Sequence, residues 1–154
     1  MTVMTSTHLN FTGNARAALE FYASVFGGQV VVVTYGDFGM PPELPDAAKV
    51  VWGQVAADNG FRIMAYDVPG AADAAGAPAG SPASTRRENG TTITSSPFFV
   101  SVRGDSVEEL EKLWAALADG ATVIEPYGPA QWAPAFGMLT DQFGVSWILD
   151  VAAS

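Results

Sequence analysis

Three side chains in this sequence are suited to acid–base chemistry or anion binding: His8, Arg62 and Tyr66. An imidazole exchanges protons near neutral pH, and a guanidinium binds planar anions through two hydrogen bonds. His8 is the only histidine. With no evident carboxylate to orient it, His8 is interpreted either as a general base or as a hydrogen-bonded structural or ligand-contacting residue. Arg62 either clamps an anion or pairs with a surface carboxylate.

Metal chemistry is restricted by composition. The chain has no cysteine, which excludes disulfides, thiolate catalysis and zinc sites that use sulfur. A single histidine also excludes the usual sites with several histidines within one chain. We therefore predict that the protein needs no metal and no other cofactor.

The charge balance argues against nucleic acid as a partner. The formal net charge is −9, and the largest basic cluster is the pair Arg86 and Arg87. An acidic surface favours a cationic ligand, or serves only solubility. No segment resembles a membrane span or a signal sequence, so the sequence predicts a cytoplasmic protein without a membrane partner.

The elements that would position these side chains occur twice. A strand at Thr7 to Phe11 precedes a helix capped by Asn14, and a hairpin follows with its turn at Asp58-Asn59-Gly60. The second half has the same order, with a capping box formed by Ser106 and Glu109. The sequence predicts an α+β fold of two βαβββ modules in a pseudo-twofold arrangement.

The predicted single domain, residues 1–154, divides into module 1 (5–67), a linker (68–95) and module 2 (96–152). The linker assignment rests on the Gly-, Ala- and Pro-rich run Pro69 to Ala83. In module 2 we expect Pro97 to Arg103 to be a strand and Pro126 to Pro134 to be a loop. Asp58 and Asp141 are expected to form turns, and Trp114 and Trp147 to lie in the core.

Two motifs resemble a known family. The first covers residues 9–28 and the second residues 141–147: Leu9-x-Phe11-x-Gly13-Asn14-Ala15-x-x-Ala18-Leu19-x-Phe21-Tyr22-x-x-Val25-Phe26-Gly27-Gly28 and Asp141-x-Phe143-Gly144-Val145-x-Trp147. In order, within a duplicated pattern, they resemble the PhnB-like branch of the vicinal oxygen chelate superfamily, the glyoxalase, bleomycin-resistance and dioxygenase fold. The resemblance implies two modules around a cleft, commonly in a homodimer. It leaves function open, since the superfamily includes enzymes and antibiotic-binding proteins.

Alternation along the strands predicts which side chains face the cleft. Phe61, Ile63 and Ala65 should pack against the helix, so that Arg62 and its alternate neighbours face away from it. Matching Gly13-Asn14 to Gly104-Asp105 pairs His8 with Phe99. The predicted ligand-binding residues are His8, Asn10, Trp52, Gln54, Arg62, Met64, Tyr66, Phe99, Ser101, Trp132, Met138 and Ile148. Core or dimer-interface packing is the alternative for Trp52 and Trp132.

The family's metal ligands come from the first and last strands of each module. The resemblance places these positions at Ser6 (or His8), Met64, Pro97 and Ile148. Proline and isoleucine offer no side-chain donor, and a thioether suits Zn²⁺, Mn²⁺ or Fe²⁺ poorly. The sequence therefore predicts that no metal site is present.

Three functions remain open. The first is a metal-free homodimer that binds a small cationic or aromatic molecule and sequesters a toxic or antibiotic compound. The second is a glyoxalase-type or PhnB-like enzyme, a lyase, isomerase or dioxygenase, with His8 and Tyr66 as acid–base candidates or with a non-standard metal site. The third is a structural or regulatory dimer without a ligand.

Overall fold

The computed structural model describes residues 2–70 and 84–153. The chain divides into two compact units, Met1–Ala79 and Gly80–Ser154. No helix in the described ranges is long and apolar enough to cross a membrane. The first unit contains β1 (Thr7–Phe11), α1 (Ala15–Phe26), β2 (Gln29–Thr34), a short 3₁₀ turn (Gly36–Phe38), β3 (Val50–Ala56) and β4 (Arg62–Asp67).

The second unit begins with an extra hairpin and then repeats the order of the first. Its elements are β5 (Thr85–Glu88), β6 (Thr91–Thr94), β7 (Val100–Gly104), α2 (Val107–Leu117), β8 (Thr122–Ala130), β9 (Ala133–Thr140) and β10 (Ser146–Val151). The main sheets have the strand orders β1-β4-β3-β2 and β7-β10-β9-β8. In each sheet the first two strands of this order, β1 and β4 or β7 and β10, are parallel to each other. The other neighbouring strands pair antiparallel. The α+β fold of two βαβββ modules is confirmed.

Strand register shows how the two copies correspond. Met64 pairs with His8 on one side and Gln54 on the other, while Ile148 pairs with Ser101 and Met138. The predicted correspondence of the hairpins is therefore confirmed. The predicted match of His8 with Phe99 was wrong, because His8 corresponds to Ser101. The connection from first strand to helix is shorter in module 2, so matching the two glycines displaced the strands by two residues.

A buried carboxylate, not the expected asparagine, caps α1. Asn14 occupies the N-cap position, but its side chain makes no capping hydrogen bond. Oδ1 of Asp67 accepts instead from the backbone N–H groups of Gly13 at 2.8 Å and Ala15 at 3.0 Å. Helix α2 has the Ser106 cap of the predicted capping box, since the Ser106 hydroxyl accepts from the Glu109 N–H. The two helices thus begin by different means.

Each helix packs closely on its sheet at a glycine. A Cβ at Gly53 would lie 2.5 Å from a methyl carbon of Leu19, and one at Gly137 would lie 2.8 Å from the Trp114 ring. Both glycines occupy corresponding register positions, opposite Ala65 and Leu149. Trp147 is fully buried as predicted, whereas Trp114 is only partly buried and stacks on Tyr127.

The predicted linker 68–95 was wrong in its last part. Residues Thr85–Glu88 and Thr91–Thr94 pair as an antiparallel hairpin, here called the strap hairpin. Its turn, Asn89-Gly90, has positive φ at both residues, as a two-residue hairpin turn requires. Residues 71–83, which include most of the Pro69 to Ala83 run, lie outside the described residues.

Two further boundaries differ from the predictions. Most of the expected loop Pro126 to Pro134 is strand, because β8 extends to Ala130 and β9 begins at Ala133. Pro126 and Pro129 are tolerated in β8 because it is an edge strand. The predicted strand Pro97 to Arg103 begins only at Val100.

The turn residues are partly as expected. Asp141 accepts hydrogen bonds from the N–H groups of Phe143 and Val145, and from the indole of Trp147 at 2.9 Å. In module 1 the corresponding turn bond comes from Asn59, whose side chain accepts from the Phe61 N–H. Asp58 lies in the turn as predicted, but the side-chain hydrogen bond of that turn is made by its neighbour Asn59.

Replacing Asp67 with asparagine should destabilise the protein. Oδ2 of Asp67 accepts from the Val50 N–H at 2.9 Å, so an amide that keeps the bonds to Gly13 and Ala15 would turn its own N–H₂ group towards a donor. We expect Asp67→Asn to lower the free energy of unfolding by about 2–4 kcal/mol, measured by urea denaturation.

Asp58→Asn is the matched control, because Asp58 lies exposed in the β3–β4 turn. It should change stability by less than about 0.5 kcal/mol. Equal unfolding midpoints for the two variants would contradict the assigned role of Asp67.

Candidate functional site

The helix-free face of the first sheet is the side turned away from α1. Burial alternates along β4 as predicted, with Ile63, Ala65 and Asp67 buried and the intervening residues half-buried. The cross-strand partners of these intervening residues share their face. Seven predicted site residues therefore lie on one face of one sheet: His8, Asn10, Trp52, Gln54, Arg62, Met64 and Tyr66.

His8 is oriented by two neighbours on this face. Its Nδ1 lies 3.2 Å from the amide oxygen of Asn10, and its ring lies 5.3 Å from that of Tyr66, centroid to centroid. Because an amide oxygen only accepts, Nδ1 is the donor in this bond. Nε2 of the neutral imidazole then keeps a lone pair that can accept a proton.

Tyr35 contacts the last residue of β4, next to Tyr66. Its hydroxyl donates to the backbone carbonyl of Asp67 at 2.8 Å. Burial, and then the nearby Tyr66 and Asp67, raise the pKa of Tyr35 above its ordinary value. Tyr35 therefore stays a neutral hydrogen-bond donor at neutral pH and fixes the end of β4.

Arg62 carries the fixed positive charge of this face. Its guanidinium donates to the side-chain oxygen of Gln54 at 3.4 Å. No carboxylate in the described part of the chain lies within 4 Å of the guanidinium nitrogens. The face therefore offers a half-buried cation whose described partner is a neutral amide.

The strap hairpin covers part of the corresponding face of the second sheet, over β8 and β9. The Thr92 hydroxyl lies 3.3 Å from the sulfur of Met138, a residue that is only 1% exposed. The Arg87 guanidinium lies 5.3 Å from the centroid of the Phe136 ring and 5.9 Å from that of Trp132. Phe136 and Met138 correspond in register to Trp52 and Gln54, so a segment of the same chain covers these positions in module 2.

The remaining charges of this second face pair with each other. Arg103 donates to both carboxylate oxygens of Asp150, at 3.2 and 2.7 Å. These bonds, and then the negative charge, raise the pKa of Arg103. Among the other predicted site residues, Phe99 precedes β7, Ser101 is exposed in β7, Ile148 is half-buried in β10 and Trp132 is exposed in the β8–β9 turn.

The donors at the family's metal positions do not fit a hard metal ion. Met64 and Ile148 occupy the last-strand positions, and His8 and Ser101 are their first-strand partners. Pro97 lies outside β7, so the corrected register replaces it with Phe99 or Ser101. One imidazole and one hydroxyl are too few donors for Zn²⁺, Mn²⁺ or Fe²⁺. The described residues contain no group of three histidine, cysteine or acidic side chains placed to hold a metal.

Comparison with known proteins identifies the family. The profile of the glyoxalase, bleomycin resistance protein and dioxygenase superfamily matches residues 6–149. The chain belongs to this superfamily. The resemblance inferred from the two sequence motifs is thereby confirmed.

Individual known proteins align with this chain over nearly its whole length. Protein YjdN of Escherichia coli (strain K12) is 28% identical over 153 residues, covering 95% of this chain and 93% of the relative. The crystal structure of PA1353 from Pseudomonas aeruginosa has a TM-score of 0.73 at 28% identity, covering 99% and 100% of the two chains. A PhnB protein from Bacillus cereus has a TM-score of 0.69 at 24% identity, covering 97% and 100%.

The strap hairpin was not predicted from the sequence. Its contact residues, Arg87 and Thr92, lie in a segment assigned to the linker. The signal was present, since Asn89-Gly90 separates two short runs rich in threonine and arginine. The runs lack the apolar alternation that usually marks a strand, because the buried side of the hairpin is formed by threonines and an arginine.

Arg87 should hold the strap hairpin on the second sheet. Its stacking on two aromatic rings is worth about 1–2 kcal/mol where the cation is desolvated, and its side chain is 12% exposed. We expect Arg87→Ala to speed amide hydrogen exchange in residues 85–94 by about tenfold, with a smaller effect elsewhere. Exchange followed by mass spectrometry measures this.

Arg86→Ala supplies the control for this measurement. Arg86 adjoins Arg87, but it is exposed, and its ion-pair partner among the described residues is Glu88 of the same hairpin. Its replacement should leave exchange in residues 85–94 within about twofold of wild type. If the two variants exchange equally fast, the assigned anchoring role of Arg87 is wrong.

Proposed function

We propose that the protein binds a small aromatic molecule on the helix-free face of its first sheet, and that it works without a metal. Sequestration of a toxic or antibiotic compound is the concrete form of this proposal. The observation that carries it is the gathering of His8, Trp52 and Tyr66 with polar neighbours on one sheet face. Aromatic surfaces with a few placed polar groups are typical of small-molecule sites.

The difference between the two modules supports placing the site in the first one. At corresponding positions, Met138 under the strap hairpin is 1% exposed whereas Gln54 is half-buried. Phe136 and Trp52 are both half-buried, but only Phe136 is in contact with an arginine of the strap hairpin. The helix-free face of module 1 therefore keeps polar and aromatic side chains without the covering segment that module 2 has. We further propose that the protein is a homodimer in the cytoplasm, which size-exclusion chromatography with light scattering and cell fractionation would test.

Metal analysis tests the metal-free part of the proposal. Protein purified without chelators should contain less than about 0.1 equivalent of Zn²⁺, Mn²⁺ or Fe²⁺ per chain, because Met64 and Ile148 replace the donors such ions need. Elemental analysis by mass spectrometry gives the measurement. One equivalent of metal in the wild type that is lost in His8→Ala would contradict the proposal.

Ligand screening tests the binding part. A panel of aromatic compounds that includes bleomycin should contain at least one that raises the unfolding temperature of the wild type. Trp52→Ala should weaken binding of that compound by about tenfold or more, because a large aromatic contact is lost. Thermal shift and calorimetric titration measure the two effects.

Phe38→Ala is the control for aromatic loss. Phe38 is 73% exposed in the first unit and lies outside the sheet. It should bind the compound as the wild type does. Equal weakening in both variants, or no stabilising compound in the panel, would contradict binding on this face.

The orientation of His8 favours a second candidate function, a metal-independent lyase or isomerase. With Nδ1 bonded to Asn10, Nε2 can act as a general base, and the adjacent Tyr66 hydroxyl can act as an acid. In that case His8→Gln should abolish turnover of a bound compound while its affinity changes by less than about threefold. Unchanged amounts of every bound compound after long incubation would favour binding alone.

A further inference from the structure

We propose that Arg62 is an anion anchor, and that the ligand of the first sheet is an aromatic carboxylate or another planar aromatic anion. This inference rests on the proposed function and specifies the charge of its ligand. It departs from the cationic ligand that the overall acidity of the chain favours.

The charges of the face itself argue for an anion. Strands β1 to β4 are fully described, and their register assigns no aspartate or glutamate to the helix-free side. The one acidic residue of these strands, Asp67, lies on the opposite side, where it is buried and hydrogen-bonded to three backbone N–H groups. The strands thus offer a cationic ligand no carboxylate on this face.

The pairing of the cations in this chain sets Arg62 apart. In the described residues, Lys49, Arg86, Arg87 and Arg103 each lie within 4 Å of a carboxylate. Arg16 and Lys112 are exposed on helices, where water solvates their charges. Among the residues that the structure describes, Arg62 is half-buried without such a partner, in a chain of net charge −9. Partial burial without a counter-ion is costly, and an anionic ligand would offset that cost.

The neighbours of Arg62 define the rest of the ligand. Its bond to Gln54 holds the guanidinium beside β3, and Trp52 lies two residues along the same face of that strand. The bond to a neutral amide leaves the other guanidinium N–H groups available for a planar carboxylate. A ligand that carries an aromatic ring next to its anionic group can contact both residues.

Three naphthalene probes that differ in charge test the proposal: 2-naphthoate, 2-naphthalenemethanol and 2-naphthylmethylamine. Wild-type protein should bind the carboxylate about tenfold more tightly than the neutral alcohol, and the amine more weakly than the alcohol. Isothermal titration up to about 1 mM probe measures the three affinities. Arg62→Gln should remove the preference for the carboxylate and change alcohol binding by less than about twofold.

Arg16→Gln is the matched control. It removes one positive charge from the same unit at an exposed helical position, and it should keep the carboxylate preference of the wild type. Arg62→Lys should keep part of the preference, because lysine supplies the charge without the planar pair of donors. Thermal unfolding of each variant establishes that it is folded.

The outcomes separate the two proposals. If the three probes bind the wild type equally, or the amine binds best, the anion anchor is wrong while binding on the face stands. A carboxylate preference that persists in Arg62→Gln also overturns the anchor. If none of the probes binds, both the aromatic-binding function and the anchor fail.

Discussion

The buried carboxylate of Asp67 is the interaction on which the first unit depends. It accepts from three backbone N–H groups, two at the start of α1 and one at the start of β3. One side chain at the end of β4 therefore joins the helix, the central strands and the edge strand β1. It also fixes the phase of β4, because an inward Asp67 requires Arg62, Met64 and Tyr66 to face the other way. The chemistry of the site is thus a consequence of a contact on the opposite side of the sheet.

The second unit reaches the same topology through different polar contacts. The register position of Asp67 is occupied there by Val151, and α2 is capped by its own Ser106. A buried carboxylate of this unit, Asp141, holds the β9–β10 turn and the Trp147 indole. The two copies share a glycine at the same register position, Gly53 or Gly137, and each glycine lets its helix pack closely on the sheet. Duplication preserved the packing geometry more closely than the hydrogen bonds that support it.

The sequence was sufficient where apolar and polar residues alternate strictly. The faces of β4 and β10 were predicted correctly, because Ile63 and Trp147 have no stable place outside the core. The prediction was wrong where a residue type is compatible with two kinds of local structure. Pro126 suggested a loop, although an edge strand has no partner on one side and tolerates proline. The capping of α1 by Asp67 was not predictable from local sequence, because the two lie more than 50 residues apart.

The two faces also differ in how their charges are neutralised, and this difference bears on function. In module 2 the positions of Asn10 and Tyr66 are taken by Arg103 and Asp150, which neutralise each other. Arg87 of the strap hairpin packs against Phe136, and its buried Nε lies 3.8 Å from a carboxylate oxygen of Glu125 without a hydrogen bond. A face whose charges are already paired gains little electrostatic energy from a ligand. Among the described residues, the side-chain partner of Arg62 in module 1 is a neutral amide that leaves its charge unbalanced, so an anionic ligand would gain most electrostatic energy on that face.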